Sequence, residues 1–253
     1  MLPQNTTDYL LNRKVKIFQP TDGYRASVDA VFLSAAVANV PNNARLLDVG
    51  SGTGAVSLCL AHRLQQQNVE IIGAEIQPEL VELANYSAAQ NNFGFLHYLH
   101  TDIRQKSTLP ELRPCRFDVV ISNPPYSEHD LPSPKTGKAT AHNMTSFGLE
   151  NWLAYCLKMA KPFGKICLIN RAEALLQICH FFLGKAGNIT VLPIFTKPDQ
   201  AAKRVIVTAQ KDSKAPCRIL PPFTVHTPSG EYTDEAAAIL RDAKCFAELR
   251  AEF

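Results

Sequence analysis

The sequence predicts an α/β fold: a mostly parallel, doubly wound sheet with helices on both faces. Three observations predict it. From Ala44 onward, short continuous apolar runs alternate with segments of helical periodicity, joined by brief connections. The first run, Arg45–Val49, passes straight into a glycine turn, Gly50-Ser51-Gly52-Thr53-Gly54. Two late runs, Ile189–Phe195 and Arg204–Ala209, have only a polar connection between them and so read as an antiparallel pair. Repeated βα units put parallel strands beneath helices on both faces, which gives a Rossmann-like sheet of seven strands with an antiparallel last strand.

The elements follow in order. After a polar start, Val15–Gln19 reads as a short strand ending at Pro20, and Thr21-Asp22-Gly23 as a turn. Ser27 is placed to cap a helix over Val28–Asn39. Beyond the strand Arg45–Val49 come a helix over 54–67, a strand at Glu70–Ile76 and a helix opened by Pro78 that runs to Asn91. His97–Ile103 is a weaker strand and Phe117–Ser122 a firm one, followed by a long loop over 126–147. Leu149–Ala160 reads as helix, Lys165–Asn170 as strand and Arg171–Gly184 as helix, before the antiparallel pair. The tail adds the segment Arg218–Val225, a turn at Pro228-Ser229-Gly230 and a helix from Asp234. The expected organisation is a lead-in, 1–43, packed on a catalytic domain, 44–253.

Composition narrows the class. The 253 residues are 46% hydrophobic with a mean hydropathy of -0.08, which describes a globule with a sizeable core. A formal charge of +3 neither demands nor excludes a nucleic-acid partner. The seven cysteines are scattered, and none forms a Cys-x-x-Cys pair, so buried free thiols in a reducing compartment are expected. His100, His142 and His226 stand alone, and no metal site is expected. The polar start has no signal-peptide pattern, and no apolar run reaches the ~18 residues of a membrane span, so the expected location is cytoplasmic.

Glycine turns after a first strand let the backbone approach a ligand closely. Gly50, Gly52 and Gly54 are spaced Gly-x-Gly-x-Gly, whereas dinucleotide binding wants Gly-x-Gly-x-x-Gly so that a helix terminus can hold a pyrophosphate. The spacing suits a nucleoside cofactor without phosphate. Asp48 can orient the loop or meet a cofactor ammonium group. Glu75, with Ile76 beside it, ends the second strand, where an acid takes two ribose hydroxyls or is a plain strand-end charge. Asp102, followed by Ile103, can accept from an adenine amino group or cap a turn.

Ser122-Asn123-Pro124-Pro125-Tyr126 closes the fourth strand. The prolines fix φ and remove two donors, so the Asn123 side-chain oxygen and the Pro124 carbonyl can both accept from one NH2 group. Two acceptors on a conjugated amine favour a pyramidal nitrogen and raise its electron density. Tyr126 offers a ring on which a base can stack. Loop and clamp together point to S-adenosylmethionine-dependent methylation of an amino or amide nitrogen. Phe147 and Trp152, at the start of an apolar helix, read as core.

These residues resemble the amino-methyltransferases with an Asn/Asp-Pro-Pro-Tyr motif. The lead-in Phe18-Gln-Pro-Thr-Asp-Gly-Tyr24-Arg25-Ala-Ser-Val-Asp29-Ala-Val-Phe-Leu is similar to that of the bacterial tRNA adenine-N6 methyltransferase family. So is the tail, Pro222-Phe-Thr-Val-His226 through Gly230-Glu-Tyr232-Thr-Asp. The segment Ala141-His142-Asn143-Met144 departs, with Asn where the family often has an acid. The resemblance implies the class I methyltransferase sheet, S-adenosyl-L-methionine as cofactor and an adenine in RNA, above all tRNA, as acceptor. It also implies that Arg25, Asp29, Ser51 and Thr53 line the cofactor site with the residues above, or that Arg25 and Asp29 organise the lead-in. Lys135, Lys138, Lys197, Lys203 and Arg204 are candidates for RNA contact, as are Arg13, Lys14 and Lys16 near the start. Rival readings are a glutamine N5-methyltransferase of release-factor type, a guanine-N2 rRNA methyltransferase and a non-catalytic RNA-binding scaffold.

Overall fold

A computed structural model describes residues 2–23, 25–106, 109–125 and 147–253. A two-stranded hairpin, β1 (Asn5–Leu10) and β2 (Val15–Pro20), precedes helix α1 (Val28–Ala35). The main run is β3 (Ala44–Val49), α2 (Ala55–Leu64), β4 (Val69–Glu75), α3 (Pro78–Gln90), β5 (Leu96–His100) and β6 (Phe117–Ser122). It continues with α4 (Gly148–Met159), β7 (Ala160–Arg171), a 3-10 turn (Ala172–Ala174), α5 (Leu175–Phe182), β8 (Ala186–Phe195) and β9 (Arg204–Lys211). The tail is β10 (Arg218–Ile219), β11 (Phe223–Thr224), α6 (Asp234–Asp242) and α7 (Phe246–Leu249).

The main sheet runs β10-β8-β9-β7-β6-β3-β4-β5, with β11 also paired to β8. Strand β9 is antiparallel to both β7 and β8, and the other pairings are parallel. The seven expected strands form the body of a sheet that has nine. The extra two are short because Pro221 and Pro222 lie between them, and proline has no N–H to give a ladder.

Strand residues alternate between two cores. Leu46, Ile71, Val119, Ile121 and Ile169 pack with α1, α2, α3 and α6 on one face. Leu47, Val49, Ile72, Val120, Ile166 and Leu168 pack with α4 and α5 on the other. Burial of both faces explains why these strands read as continuous apolar runs.

Several boundaries differ from the expected ones for local reasons. Strand β1 lies in a start whose polarity hides it; Asn5, Asp8 and Leu10 are half-buried and its other residues exposed. Helix α1 stops at Ala35, and Asn39 further on has a φ of 53°, outside the helical region. Gly54 has a φ of 86° and caps α2 rather than joining it. Strand β5 ends at His100 because Asp102 accepts from the Arg104 amide in a turn. The stretch expected as one helix from Arg171 begins as strand and passes through the 3-10 turn before α5. All seven cysteines are free, but of those expected to be buried only Cys59, Cys156 and Cys167 are; Cys115 and Cys217, each between a proline and an arginine, are exposed. Among the described residues no helix is long and apolar enough to cross a membrane.

Lead-in and tail close over the same face. Ser27 caps α1 through the Asp29 amide, as the sequence indicates. Phe32 meets Phe223 edge-on at 4.9 Å, Phe223 meets Phe246 at 5.0 Å, and Phe246 meets Phe253 at 5.2 Å. Arg63 of α2 ties the two ends together. Its guanidinium donates to the Ser34 carbonyl, to Ser34 Oγ at 2.7 Å and to the Ala243 carbonyl at 3.0 Å. Arg63→Met leaves those acceptors unpaired and should lower the unfolding free energy by about 2–4 kcal/mol, read from the urea midpoint. An unchanged midpoint would show that water replaces the guanidinium without loss.

Candidate active site

The strand order reverses between β3 and β6, and in open α/β sheets ligands bind beyond the carboxyl ends of strands at such a switch point. Register fixes what meets there. Val49 is level with Ser122 on β6 and with Ala74 on β4, so Gly50, Asn123 and Glu75 leave three adjacent strands at one height. His100 of β5 is level with Glu75, and Asp102 lies two residues beyond it.

The glycine turn takes a shape other residues resist. Gly50, Gly52 and Gly54 have φ values of 71°, 55° and 86°. The Gly50 and Ser51 amides donate to the Ala74 carbonyl at 2.8 and 3.1 Å, and the Gly54 amide to the Ser51 carbonyl at 2.8 Å. Glu75, 6% exposed, completes the frame: Oε2 accepts from the Gly52 amide at 2.9 Å and Oε1 from the Gln77 amide at 2.9 Å. Burial raises its pKa, and the amides of Gln77 and Gly52 pull the other way. Ser51 and Thr53 are buried, and Ser51 Oγ has no hydrogen-bond partner.

Beneath the turn lies a polar cluster. Asp48, 1% exposed, accepts from Ser57 Oγ at 2.8 Å. The Tyr98 hydroxyl sits 3.0 Å from Ser57 Oγ and 3.2 Å from the Gly54 carbonyl. A Cβ on Gly54 would lie 2.2 Å from that hydroxyl, and one on Gly73 would lie 2.2 Å from the Tyr98 ring, so both positions are held to glycine by one tyrosine. Asp48 therefore orients the loop through α2. Burial pushes its carboxyl up to about 7, against the Ser57 hydrogen bonds.

Other proposed cofactor residues are already engaged. Asp102 is bound in bidentate fashion by Arg104, Nε at 2.8 Å from Oδ1 and an NH2 group at 2.6 Å from Oδ2, and those bonds hold its carboxyl below the usual range. Ile76 and Ile103 are half-buried; the Ile76 carbonyl lies 3.0 Å from His100 Nε2, and Ile103 packs on the core beside β4. Arg25 pairs with Asp8, and Asp29 with Arg204 at 3.0 Å. Arg25 thus ties the lead-in to its own first strand, and Asp29 ties it to the start of β9. Arg204 meets Asp29 instead of standing apart as a surface cation, Lys203 is exposed, and Lys197 Nζ donates to the Pro228 carbonyl at 3.4 Å. Among the described residues no cluster of three His, Cys, Asp or Glu side chains could hold a metal.

At the clamp, Asn123 is half-buried, Pro124 buried and Pro125 exposed. Tyr126, Lys135, Lys138 and the segment 141–144 lie outside the described residues. Trp152 packs on the core, as the sequence indicates, but it has a second role that sequence reasoning missed. It also reaches the site: its Nε1–H donates to Ser122 Oγ at 2.8 Å, and Ser122 Oγ donates to the Val49 carbonyl at 2.7 Å. A Cβ on Gly50 would lie 2.6 Å from its ring. Phe147 meets that ring edge-on at 6.4 Å. Helical spacing signals only that such a ring faces inward.

These features fit a nucleoside cofactor. The three positive φ values open the backbone, a Cβ at Gly52 would meet nothing within 4 Å, and Ser51 Oγ keeps an unused donor. Glu75 oxygens retain lone pairs beyond the two amides that they hold.

The buried Asp48 carboxyl makes a pH-dependent contribution of definite sign. Its folded pKa is above the ordinary 3.8, so it favours the folded state at low pH, and that contribution is lost as pH rises toward about 7. Asp48→Asn, neutral throughout, removes it. Wild-type stability should therefore fall relative to the variant between about pH 4 and pH 7 in urea titrations. Parallel curves would show that the carboxyl is not raised.

Known proteins place the chain. A family model described as a methyltransferase domain matches residues 41–191. A protein of Porphyromonas gingivalis (strain ATCC 33277) named tRNA1(Val) (adenine(37)-N6)-methyltransferase is 27% identical over 238 residues, 90% of this chain and 92% of that one. One of the same name from Pedobacter heparinus is 28% identical over 91% of this chain and 95% of its own. Among solved structures, one from Agrobacterium tumefaciens, described as a predicted O-methyltransferase, superposes with a TM-score of 0.70 at 23% identity, covering 86% of this chain and 97% of that one. The methyltransferase subunit of a type I restriction-modification system from Streptococcus thermophilus gives 0.51 at 18%, over 77% of this chain and 46% of its own. The fold is the class I methyltransferase fold, and with more than half of its length matched the chain belongs to the methyltransferase-domain family.

Proposed function

We propose that the protein transfers a methyl group from S-adenosylmethionine to the N6 amino group of an adenine in RNA, and that this RNA is a tRNA. The observation that carries the reading is the placement of Asn123 beside Gly50 at the switch point, where a clamp for an NH2 group adjoins a loop for a nucleoside. The tRNA-modifying names of relatives aligned over nine-tenths of the chain support the acceptor class.

S-adenosylmethionine supplies an electrophilic methyl on a cationic sulfur and departs as a neutral thioether. The residues that would hold it are Gly50, Ser51, Gly52, Thr53 and Gly54, with Glu75 oriented toward ribose hydroxyls and Ile76 and Ile103 against the base. Asp102 joins them only by sharing its carboxylate with Arg104. Asp48, Arg25 and Asp29 act by shaping the loop and lead-in. Asn123 Oδ1 and the Pro124 carbonyl accept from the adenine amino group, direct its lone pair at the methyl carbon and stabilise charge that builds on its hydrogens. Pro125 stiffens the clamp, and Tyr126 would give the extruded base a ring to stack on. Transfer forms the N–C bond as the S–C bond breaks and leaves the nitrogen cationic; its acidified proton then passes to water, so no strong base is needed.

The reading takes 1–43 as a lead-in on a catalytic domain, 44–253, and places the protein in the cytoplasm, where tRNA is modified. Lys197 and Lys203, with Lys135 and Lys138, would meet RNA phosphates, each contact adding salt-dependent affinity, while Arg204 stays with Asp29.

Labelled cofactor should be offered with separate pools of tRNA, rRNA and protein. Label in tRNA as N6-methyladenine is expected; label in protein would favour glutamine methylation, and none in any pool would overturn the proposal. Asn123→Ala should cut turnover at least ~100-fold while cofactor Kd stays within about threefold. Glu75→Ala should weaken cofactor binding by about tenfold or more, measured calorimetrically. Unchanged affinity would remove Glu75 from the site.

A further inference from the structure

We propose that Trp152 is a positioning residue that locks the acceptor clamp to the cofactor loop. The inference rests on the assignment of Gly50–Gly54 to the cofactor and Asn123 to the acceptor.

The indole makes two contacts that face different parts of the site. Its ring edge fills the space beside Gly50, where a Cβ would come within 2.6 Å of Cζ2 and 2.8 Å of Cη2. Its Nε1–H donates to Ser122 Oγ at 2.8 Å, and Ser122 is the residue from which Asn123 leaves β6. The Ser122 hydroxyl spends its own proton on the Val49 carbonyl at 2.7 Å, one residue before Gly50. Each partner therefore uses its single donor once, in one direction, from α4 through β6 to β3. Ser122 itself is fully buried, so water does not compete for either bond.

The two strand ends are already neighbours in the sheet, so the indole is not required to hold β3 to β6. What it adds is a side-chain restraint at the last ladder pair and beside Gly50 just past it, where the pairing of β3 with β6 stops and the chain turns toward ligand. Methyl transfer needs the acceptor nitrogen within about 3–3.5 Å of the carbon it attacks. A clamp that drifts relative to the loop loses rate before it loses binding. Apolar packing alone explains a large side chain here, but not an N–H aimed at the serine beside the clamp.

Trp152 is the only tryptophan in the chain, which gives a readout independent of the acceptor. Its emission should shift when S-adenosylhomocysteine binds, and Ser122→Ala should shift it in the cofactor-free protein. Trp152→Phe keeps a ring beside Gly50 and removes the N–H. With the full chain and its RNA acceptor, kcat should fall about tenfold in Trp152→Phe and in Ser122→Ala, with cofactor Kd within about threefold. The double variant should lose little more than Ser122→Ala alone, because that change already removes the acceptor of the Trp152 N–H along with the bond to Val49. An emission insensitive to the cofactor overturns the proposal, as do kcat losses that multiply in the double variant or a variant that loses affinity but not kcat. If wild-type emission responds while no RNA is methylated, the acceptor assignment fails and the tie between tryptophan and loop stands.

Discussion

The site depends on a carboxylate holding backbone. Positive φ at three alternate residues turns the Gly52 amide away from the strand carbonyl that takes the Gly50 and Ser51 amides, and Glu75 takes it at 2.9 Å from the next strand over. The same carboxylate takes the Gln77 amide and so sets the start of α3. Burying it is costly, as its raised pKa records, and the amides offset that cost. The acid at the end of the second strand is thus a structural part of the loop before any ribose arrives. Its proposed binding role reuses the lone pairs that remain.

Support for the loop comes from below as well as beside. Tyr98 lies against Gly54 and Gly73, and its hydroxyl closes a chain through Ser57 to Asp48. A buried chain of this kind is worth having only when each member is satisfied. Among these groups each has a partner within 3.2 Å, so the turn rests on a rigid floor. Rigidity here is what a transfer reaction needs, since the protein contributes orientation more than bond chemistry.

Much of this was legible in the chain. Fully buried strands show as continuous apolar runs, and glycine spacing separates a nucleoside loop from a pyrophosphate loop, so the cofactor class and the strands from β3 to β9 could be read. The exception is β5, which showed only weakly because His97 and His100 are exposed. Residues whose meaning is set by the partner they find in the folded chain could not. Asp102 carries the same charge whether it faces a base or Arg104, and only the fold brings the arginine round in a local turn. Asp29 meets Arg204 across 175 positions, which made one residue look like a cofactor ligand and the other like an RNA contact. Trp152 was hidden for a different reason: helical periodicity tells which way a ring points, not what its N–H finds there. Strand β1 escaped because an edge hairpin with one wet face needs few apolar residues.

The Arg63 tie bears on how the chain reaches this state. One guanidinium gathers a carbonyl from residue 34 and another from residue 243, the latter across 180 positions of sequence. Closing such a loop costs conformational entropy before any contact rewards it, and topologies rich in distant pairings fold slowly. The apolar side of α1 then stays open to water, and to other unfinished chains, until the tail docks. Docking of the carboxyl-terminal segment is therefore the step at which newly made molecules of this protein are most exposed to aggregation.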